Sequence, residues 1–276
     1  MQMKKIISVS TVVLMLLSAC SAGINIFTDR DEVTLGLQFS QEILNNSKEY
    51  PIYKNDKVKN YINERIFQHI MTSPDIKKKG VYSYQLEIID NDTTLNAFAV
   101  PGGFVYVYTG LLKYLDSEAG LTGVVGHEIG HVEKRHSTQR ITKAYGLSIL
   151  MNIVLGTNPT QVAEIVANLF SGLALLANSR ANEEEADQAS LSYLRSTRYY
   201  PGSVKFFFEK LRDEGRISKG GEGLAVFLST HPDPIERISS TDKRLSNLGI
   251  EIKTYTAKGE GIYKSEYEKN IKARMN

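Results

Sequence analysis

Two histidines stand four residues apart, His127 and His131, with Glu128 between them in the stretch Gly126-His-Glu-Ile-Gly-His131. On a helix this spacing puts both imidazoles on one face with Cβ atoms about 5–6 Å apart, so both rings can converge on one zinc ion at about 2.0–2.1 Å. Any fold for this chain has to hold that helix where a further ligand can meet it. The pattern points to a metal site of the hydrolytic kind.

Two histidines leave zinc under-coordinated, and a catalytic site takes a third protein ligand and keeps a fourth position for water. Only His69 and His231 lie outside the histidine-rich stretch, and the single cysteine is Cys20, so a carboxylate is the expected third ligand. The segment Ser179-Arg-Ala-Asn-Glu-Glu-Glu-Ala-Asp187 offers three consecutive glutamates, and helical phase separates them. Glu183 shares a face with Asp187, Ser190, Leu191 and Leu194, whereas Glu184 aligns with Gln188 and Arg195, and Glu185 with Ser192. Glu183 is therefore expected to point inward. Asp187, one turn on, is placed to accept a hydrogen bond from a liganding imidazole and fix its tautomer. A solvated helix start near its own dipole is the alternative that phase alone leaves open for this acidic cluster.

The first twenty residues read as an address label. Lys4 and Lys5 precede an apolar run from Ile6 to Leu17 that ends in Leu17-Ser-Ala-Cys20. That run is too short for the roughly 20 residues that cross a bilayer as a helix. The pattern resembles a bacterial lipoprotein box, in which Cys20 becomes the lipidated first residue of the mature chain, held at a membrane by its lipid. Ser21 after the cysteine suggests, by resemblance to sorting rules in diderm bacteria, the periplasmic face of the outer membrane. Removing residues 1–19 takes two lysines from 33 basic residues and none from 31 acidic ones, leaving 31 of each. With charge balanced and no polybasic run, nucleic acid is not expected as a partner.

Residues 20–31 read as a lipidated tether and 32–252 as one domain. Val33–Asn45 and Asp56–Met71 carry helical spacing; Tyr82–Ile89, Asn96–Val100 and Phe104–Tyr108 are β-branched or aromatic runs, the last two punctuated by Pro101-Gly-Gly103. A small, mostly antiparallel sheet is expected beside the motif helix. That helix is expected to start after Asp116 or Ser117 and to run to about Ser137. Leu121, Val125, Ile129 and Val132 form its core stripe. Gly123, Gly126 and Gly130 form another, and each costs about 0.5–1 kcal/mol relative to alanine, so a strand or second helix is expected to approach there. Residues 141–177 suggest two buried or membrane-facing helices, and 253–276 a solvated extension. His69 reads as a packed histidine. Arg135, His136 and Arg180 carry no role derivable from the sequence.

Together these residues resemble the zinc peptidase family that includes the HtpX-type heat-shock proteases, the CAAX prenyl endopeptidases and the BepA-type periplasmic chaperone-proteases. The resemblance rests on H-E-x-x-H at 127–131, S-R-x-x-E-x-x-A-D at 179–187, Asn96-Ala-Phe-Ala-Val-Pro-Gly-Gly103 and Thr230-His-Pro232. It implies an α+β, mainly helical zincin-like fold in which His127, His131 and Glu183 hold one Zn2+ and Glu128 is the catalytic base. The chain looks like the compact lipoprotein branch, without long transmembrane helices or a C-terminal repeat domain. Such a site would lower the pKa of bound water from 15.7 toward about 7, with Glu128 taking the proton and delivering it to the leaving amine. His231 has two readings, stabiliser of the oxyanion or fourth zinc ligand in a latent enzyme. Asn96 and Ala97 suit an exposed strand edge onto which an extended substrate adds by backbone hydrogen bonds. Peptide hydrolysis of unfolded or misassembled envelope proteins is the leading expectation. A latent-site chaperone or assembly factor is the alternative.

Overall fold

The computed structural model describes residues 25–146, 159–173, 176–219 and 224–275. Residues 1–24, with the expected leader and Cys20, residues 147–158 and the Gly220-Gly-Glu-Gly223 break lie outside the described residues. In chain order come α1 (Asp29–Asn45), α2 (Asp56–Ile62, running on through a π turn to Met71), β1 (Gln85–Ile89), β2 (Ala97–Val100) and β3 (Phe104–Tyr108). Then follow α3 (Thr109–Tyr114), α4 (Glu118–Glu133), α5 (His136–Tyr145), α6 (Pro159–Leu173), α7 (Arg180–Leu194), α8 (Phe206–Asp213), α9 (Ala225–Thr230) and α10 (Pro234–Asn247). The described chain is mainly helical, as expected.

The sheet is organised by β3, whose five residues are all buried. Its alternation splits the core in two: Val105 and Val107 join Leu86, Ile88 and Ala97 on one face, while Phe104, Tyr106 and Tyr108 join Ile89 and Val100 on the other. A strand covered on both faces reads as a continuous apolar run, which is what Phe-Val-Tyr-Val-Tyr is. Strand order is β1-β3-β2. The β2–β3 pair is antiparallel, Ala97 opposite Val107, because the Pro101–Gly103 turn reverses the chain, with φ of 76° at Gly102 and 107° at Gly103, a region glycine enters freely. The β1–β3 pair is parallel, Gln85 opposite Phe104. The sheet is thus mixed, where the sequence suggested mostly antiparallel pairing, since β3 inserts between the two earlier strands instead of adding outside β2.

Helix α4 starts where expected, with the Ser117 side chain accepting from the Gly120 N–H, but it is buried on every side from Glu118 to Val132. Its glycine stripe meets α7. A Cβ at Gly126 would lie 2.7 Å from Ser190 Oγ, one at Gly130 2.9 Å from the Ala186 carbonyl oxygen, and one at Gly123 2.5 Å from the backbone of Ser203 and Val204. The pairing of rising numbers on α4 with falling numbers on α7 makes the two helices antiparallel. Glycine here lets two backbones approach, and that closeness sets the distance between the motif histidines and the acidic cluster.

Three boundaries differ from the expectation. Helix α4 ends at Glu133 rather than near Ser137, because Arg135 takes the left-handed conformation at φ 62° and turns the chain into α5. The ordered body reaches back into the expected tether: Phe27 is buried, Asn25 donates to Thr138 Oγ1 at 2.7 Å, and Thr28 and Asp31 form a capping box at the head of α1. The expected solvated tail is instead packed, with Ile262, Tyr267 and Ile271 fully buried and the Tyr267 hydroxyl donating to the Leu112 carbonyl at 2.7 Å. Its lysines lie between apolar residues at helical spacing, so one face is solvated and the other is core. The apolar α6 packs on α1 and α5, burying Val166, Leu169 and Leu173. Among the described residues, no helix is long and apolar enough to cross a membrane.

Candidate metal centre

Helices α4 and α7 bring His127, His131 and Glu183 together. The two Nε2 atoms are 2.9 Å apart, and the Glu183 carboxylate oxygens lie 3.4 Å from His127 Nε2 and 3.3 Å from His131 Nε2. Donors bound tetrahedrally at 2.0–2.1 Å stand about 3.3 Å from one another, so this triangle has the size of one face of a zinc site. Glu183 is buried while its neighbours Glu184 and Glu185 are exposed, as helical phase required. His231, at the end of α9, completes a buried group of four whose donor atoms all lie within 4.8 Å of one another.

Asp187 accepts from His127 at Nδ1, 2.8 Å away, which aims Nε2 at the centre, where the neutral ring would present its lone pair to a metal. The sequence did not single out Arg237. It is buried on α10, donates to Asp187 through Nε at 2.8 Å and Nη2 at 2.6 Å, lies over the Phe208 ring, and places Nη1 2.7 Å from Glu183 as a charge contact without hydrogen-bond alignment. Asn178, which precedes α7, puts Nδ2 3.5 Å from His131 Nε2. No local signal marks either residue, because each reaches the centre from a segment whose approach only the tertiary fold decides.

The electrostatics favour a divalent cation. Among the described residues, Glu128, Glu183 and Asp187 are buried beside the buried guanidinium of Arg237, and the half-buried Arg140 also acts on Glu183 and Glu128, so these carboxylates outnumber the cations that face them when the imidazoles are neutral. Burial alone would push His127 down, as would the charge of Arg237, but the hydrogen bonds it donates to Asp187 and Glu183 outweigh them and lift the ring to about 9. Burial drives His131 well below the usual histidine range, helped by the charge of His127. Burial would raise Glu183, yet the charges of His231, Arg237 and His131 hold it well below the usual carboxylate range. Glu128 goes the other way, raised by burial, and its Oε1 is buried with no hydrogen-bond partner. Two imidazoles, a carboxylate, surplus negative charge and an orphaned carboxylate oxygen beside them together fit a metal ion and a polar ligand.

The remaining expected residues fall as follows. Asn96 and Ala97 are buried rather than exposed, so the edge character of β2 resides in its backbone. The other edge is covered, with Tyr53 N–H donating to the Ile88 carbonyl at 2.9 Å, and the order β1-β3-β2 leaves β2 as the outer strand beside α4. Arg180 pairs with Asp233 at 2.5 Å, and His69 packs edge-on to Tyr199.

This fold and this buried site are those of a metallopeptidase. The chain belongs to peptidase family M48, whose model matches residues 57–245. It is 35% identical to the mitochondrial metalloendopeptidase OMA1 of Arabidopsis thaliana over 54% of this chain and 29% of that protein. It is 31% identical to the β-barrel assembly-enhancing protease of Yersinia pestis over 60% of this chain and 35% of the relative, and 28% identical to that of Escherichia coli K12 over 72% and 41%. The chain thus spans less than half the length of each of these relatives.

Proposed function

We propose that this protein is a zinc-dependent endopeptidase of the cell envelope, lipid-anchored at Cys20 on the periplasmic face of the outer membrane, that cuts unfolded or misassembled envelope proteins. The observation that carries this reading is the convergence of His127, His131 and Glu183 on one point, with Glu128 on the histidines' own helix holding a buried Oε1 that has no hydrogen-bond partner. Zinc, when bound, supplies the Lewis acidity that acidifies a water and polarises the scissile carbonyl. Asp187 fixes the His127 tautomer, and Arg237 keeps Asp187 and Glu183 ionised. Glu128 takes a proton from the attacking water as its oxygen bonds to the carbonyl carbon; as the C–N bond breaks, the same carboxyl hands that proton to the leaving nitrogen. The Asn96 carbonyl accepts from the Tyr108 N–H inside the sheet, so the outward backbone of β2 at the next residue, Ala97, is what offers an extended substrate a strand to pair with, a recognition that reads backbone over side chains and suits unfolded polypeptides. Relatives named for β-barrel assembly support the envelope setting.

Cleavage of casein by the zinc-loaded protein, beside Glu128→Gln with equal zinc content, tests the reading. Activity present in the first and lost in the second is the expected result; activity kept in the variant would remove Glu128 as the base.

The second reading, a latent chaperone or assembly factor, is favoured by His231. Its Nδ1 lies 3.0 Å from Glu183 Oε2 and its Nε2 3.8 Å from Glu128 Oε1, with the ring stacked on Phe227. When Nδ1–H donates to Glu183, the neutral ring presents a lone pair at Nε2, which can ligate a metal but cannot donate to an oxyanion. His231→Ala separates the two roles: raised casein cleavage means the histidine closes a latent site, and a large loss means it serves the transition state.

A further inference from the structure

His136 and Glu185 stand on different helices and belong to no part of the mechanism above, yet they touch a residue that does. The His136 ring is fully buried. Its Nδ1 is 2.7 Å from His131 Nδ1 and its Nε2 3.2 Å from Glu185 Oε2, and the other Glu185 oxygen accepts from Lys134 Nζ at 2.9 Å. We propose that His136 is the positioning residue for His131, and that Glu185 orients His136 in turn, so that a three-residue chain running from solvent fixes the imidazole that Asp187 does not reach.

Proton placement makes the chain directional. If His131 turns Nε2 to a metal, its proton is on Nδ1, which must donate. A second Nδ1–H on His136 would oppose donor to donor at 2.7 Å, so His136 must accept there and carry its proton on Nε2. That nitrogen then donates to Glu185 Oε2, and every atom of the path is satisfied in one arrangement only. The motif's two histidines are thereby held by different devices. His127 is held by a buried carboxylate neutralised by Arg237. His131 is held by a neutral imidazole whose carboxylate is half in solvent, the Glu185 side chain being 47% exposed.

The local backbone is built for this contact. Had α4 continued as a helix, His136 would lie five positions beyond His131, on another face. The left-handed Arg135 breaks the helix and folds His136 back onto His131. Non-glycine residues in that region carry strain that the surroundings must hold in place. Here the Arg135 side chain does so, with Nε donating to the buried Glu32 at 3.0 Å and Nη2 donating to the Phe27 carbonyl.

The inference rests on the metal-site reading, and one experiment distinguishes the failure of each. The full-length protein, labelled with 15N at histidine and loaded with zinc, is examined by long-range 1H–15N correlation. We expect His131 to be ligated through Nε2 with Nδ1 protonated, and His136 to be the Nε2–H tautomer. Zinc bound with His136 protonated at Nδ1, or at both nitrogens, overturns the relay alone; a chain that takes up no zinc overturns the site reading and the relay with it. Zinc affinity, by competition with a chelating dye, gives the mutational arm. His136→Leu, which fills the space without an acceptor, is expected to weaken zinc by about 10- to 100-fold. His136→Asn, which returns a carbonyl oxygen near the Nδ1 position, is expected to recover most of that loss although both metal-free variants melt alike. Wild-type affinity in His136→Leu, or no recovery in His136→Asn, refutes the proposal. Should His136→Leu fail to fold, the wild-type tautomer decides alone.

Discussion

At the scale of single residues the centre is a charge problem that a metal solves. The raised His127 means that the metal-free protein holds a proton there at neutral pH, which a zinc ion bound at the proposed site would have to displace, so binding at pH 7 should release about one proton per zinc. Apparent affinity should then climb about tenfold per pH unit and flatten near pH 9. Calorimetry in buffers of different ionisation enthalpy measures both, and an affinity flat between pH 7 and 9 would contradict the assignment. The sign for folding follows from the same shift: the metal-free chain gains stability from charged His127 in full below 6.5, and loses it as the pH rises toward about 9. Arg237 gives a second residue-scale prediction. Arg237→Met leaves Asp187 and Glu183 without the guanidinium and only His127 of the site to balance them, which costs about 3–5 kcal/mol of metal-free stability by urea unfolding; a change under 1 kcal/mol would mean that water reaches Asp187. Glu183 and Asp187 were legible because helical phase is a local property that one segment carries by itself. Arg237 and His136 were not: the first arrives from a helix fifty positions away from Asp187, and the second depends on a single left-handed residue that periodicity passes over.

At the scale of elements, the contact between α4 and α7 decides whether there is a site at all. The sequence shows three glycines that weaken a helix and so demand a close neighbour, but it cannot say which neighbour. The structure names α7 for Gly126 and Gly130, and the Pro201–Lys205 turn for Gly123. Gly123→Ala puts a methyl group 2.5 Å from the Ser203–Val204 peptide, a contact that helix propensity, worth about 1 kcal/mol in alanine's favour, does not offset. A net loss of about 1–3 kcal/mol in thermal or urea unfolding is expected. Gly80→Ala is the control, since nothing lies within 4 Å of its added carbon, and it should stay within about 0.5 kcal/mol of wild type. Equal effects at the two positions would show that α4 moves off its neighbours freely. Strands β2 and β3 were legible nearly to the residue because turn chemistry and alternation are local. The parallel β1–β3 pairing was not, since strand order depends on where β3 can bury both its faces.

At the scale of the whole molecule, the described C-terminal segment closes the fold over the end of the motif helix. The Ala119 N–H donates to the Ile262 carbonyl at 3.1 Å, Tyr267 reaches Leu112, and Ile271 packs into the cluster that also holds Leu121 and Val125. The sequence hid this because a lysine-rich stretch with apolar residues a turn apart resembles a solvated tail until a groove receives its apolar face. Each of Ile262, Tyr267 and Ile271 is fully buried, and burying a side chain of that size is worth about 1.5–3 kcal/mol. Their sum is of the order of the entire 5–15 kcal/mol by which a domain is stable, so a chain ending at residue 252 should fold poorly even though every metal-site residue is present. Zinc can offset part of that loss, since a ligand at 100 times its dissociation constant adds about 2.7 kcal/mol. The truncated protein is therefore expected to show a cooperative transition only with zinc present, and to lose it on chelation, while the full chain keeps a transition in both states and merely melts lower without metal. Circular dichroism melts with and without chelator check this. A truncated chain that melts like the full one in chelator would place the closing segment outside the cooperative unit, and the first turn of α4 would then need another explanation for its complete burial.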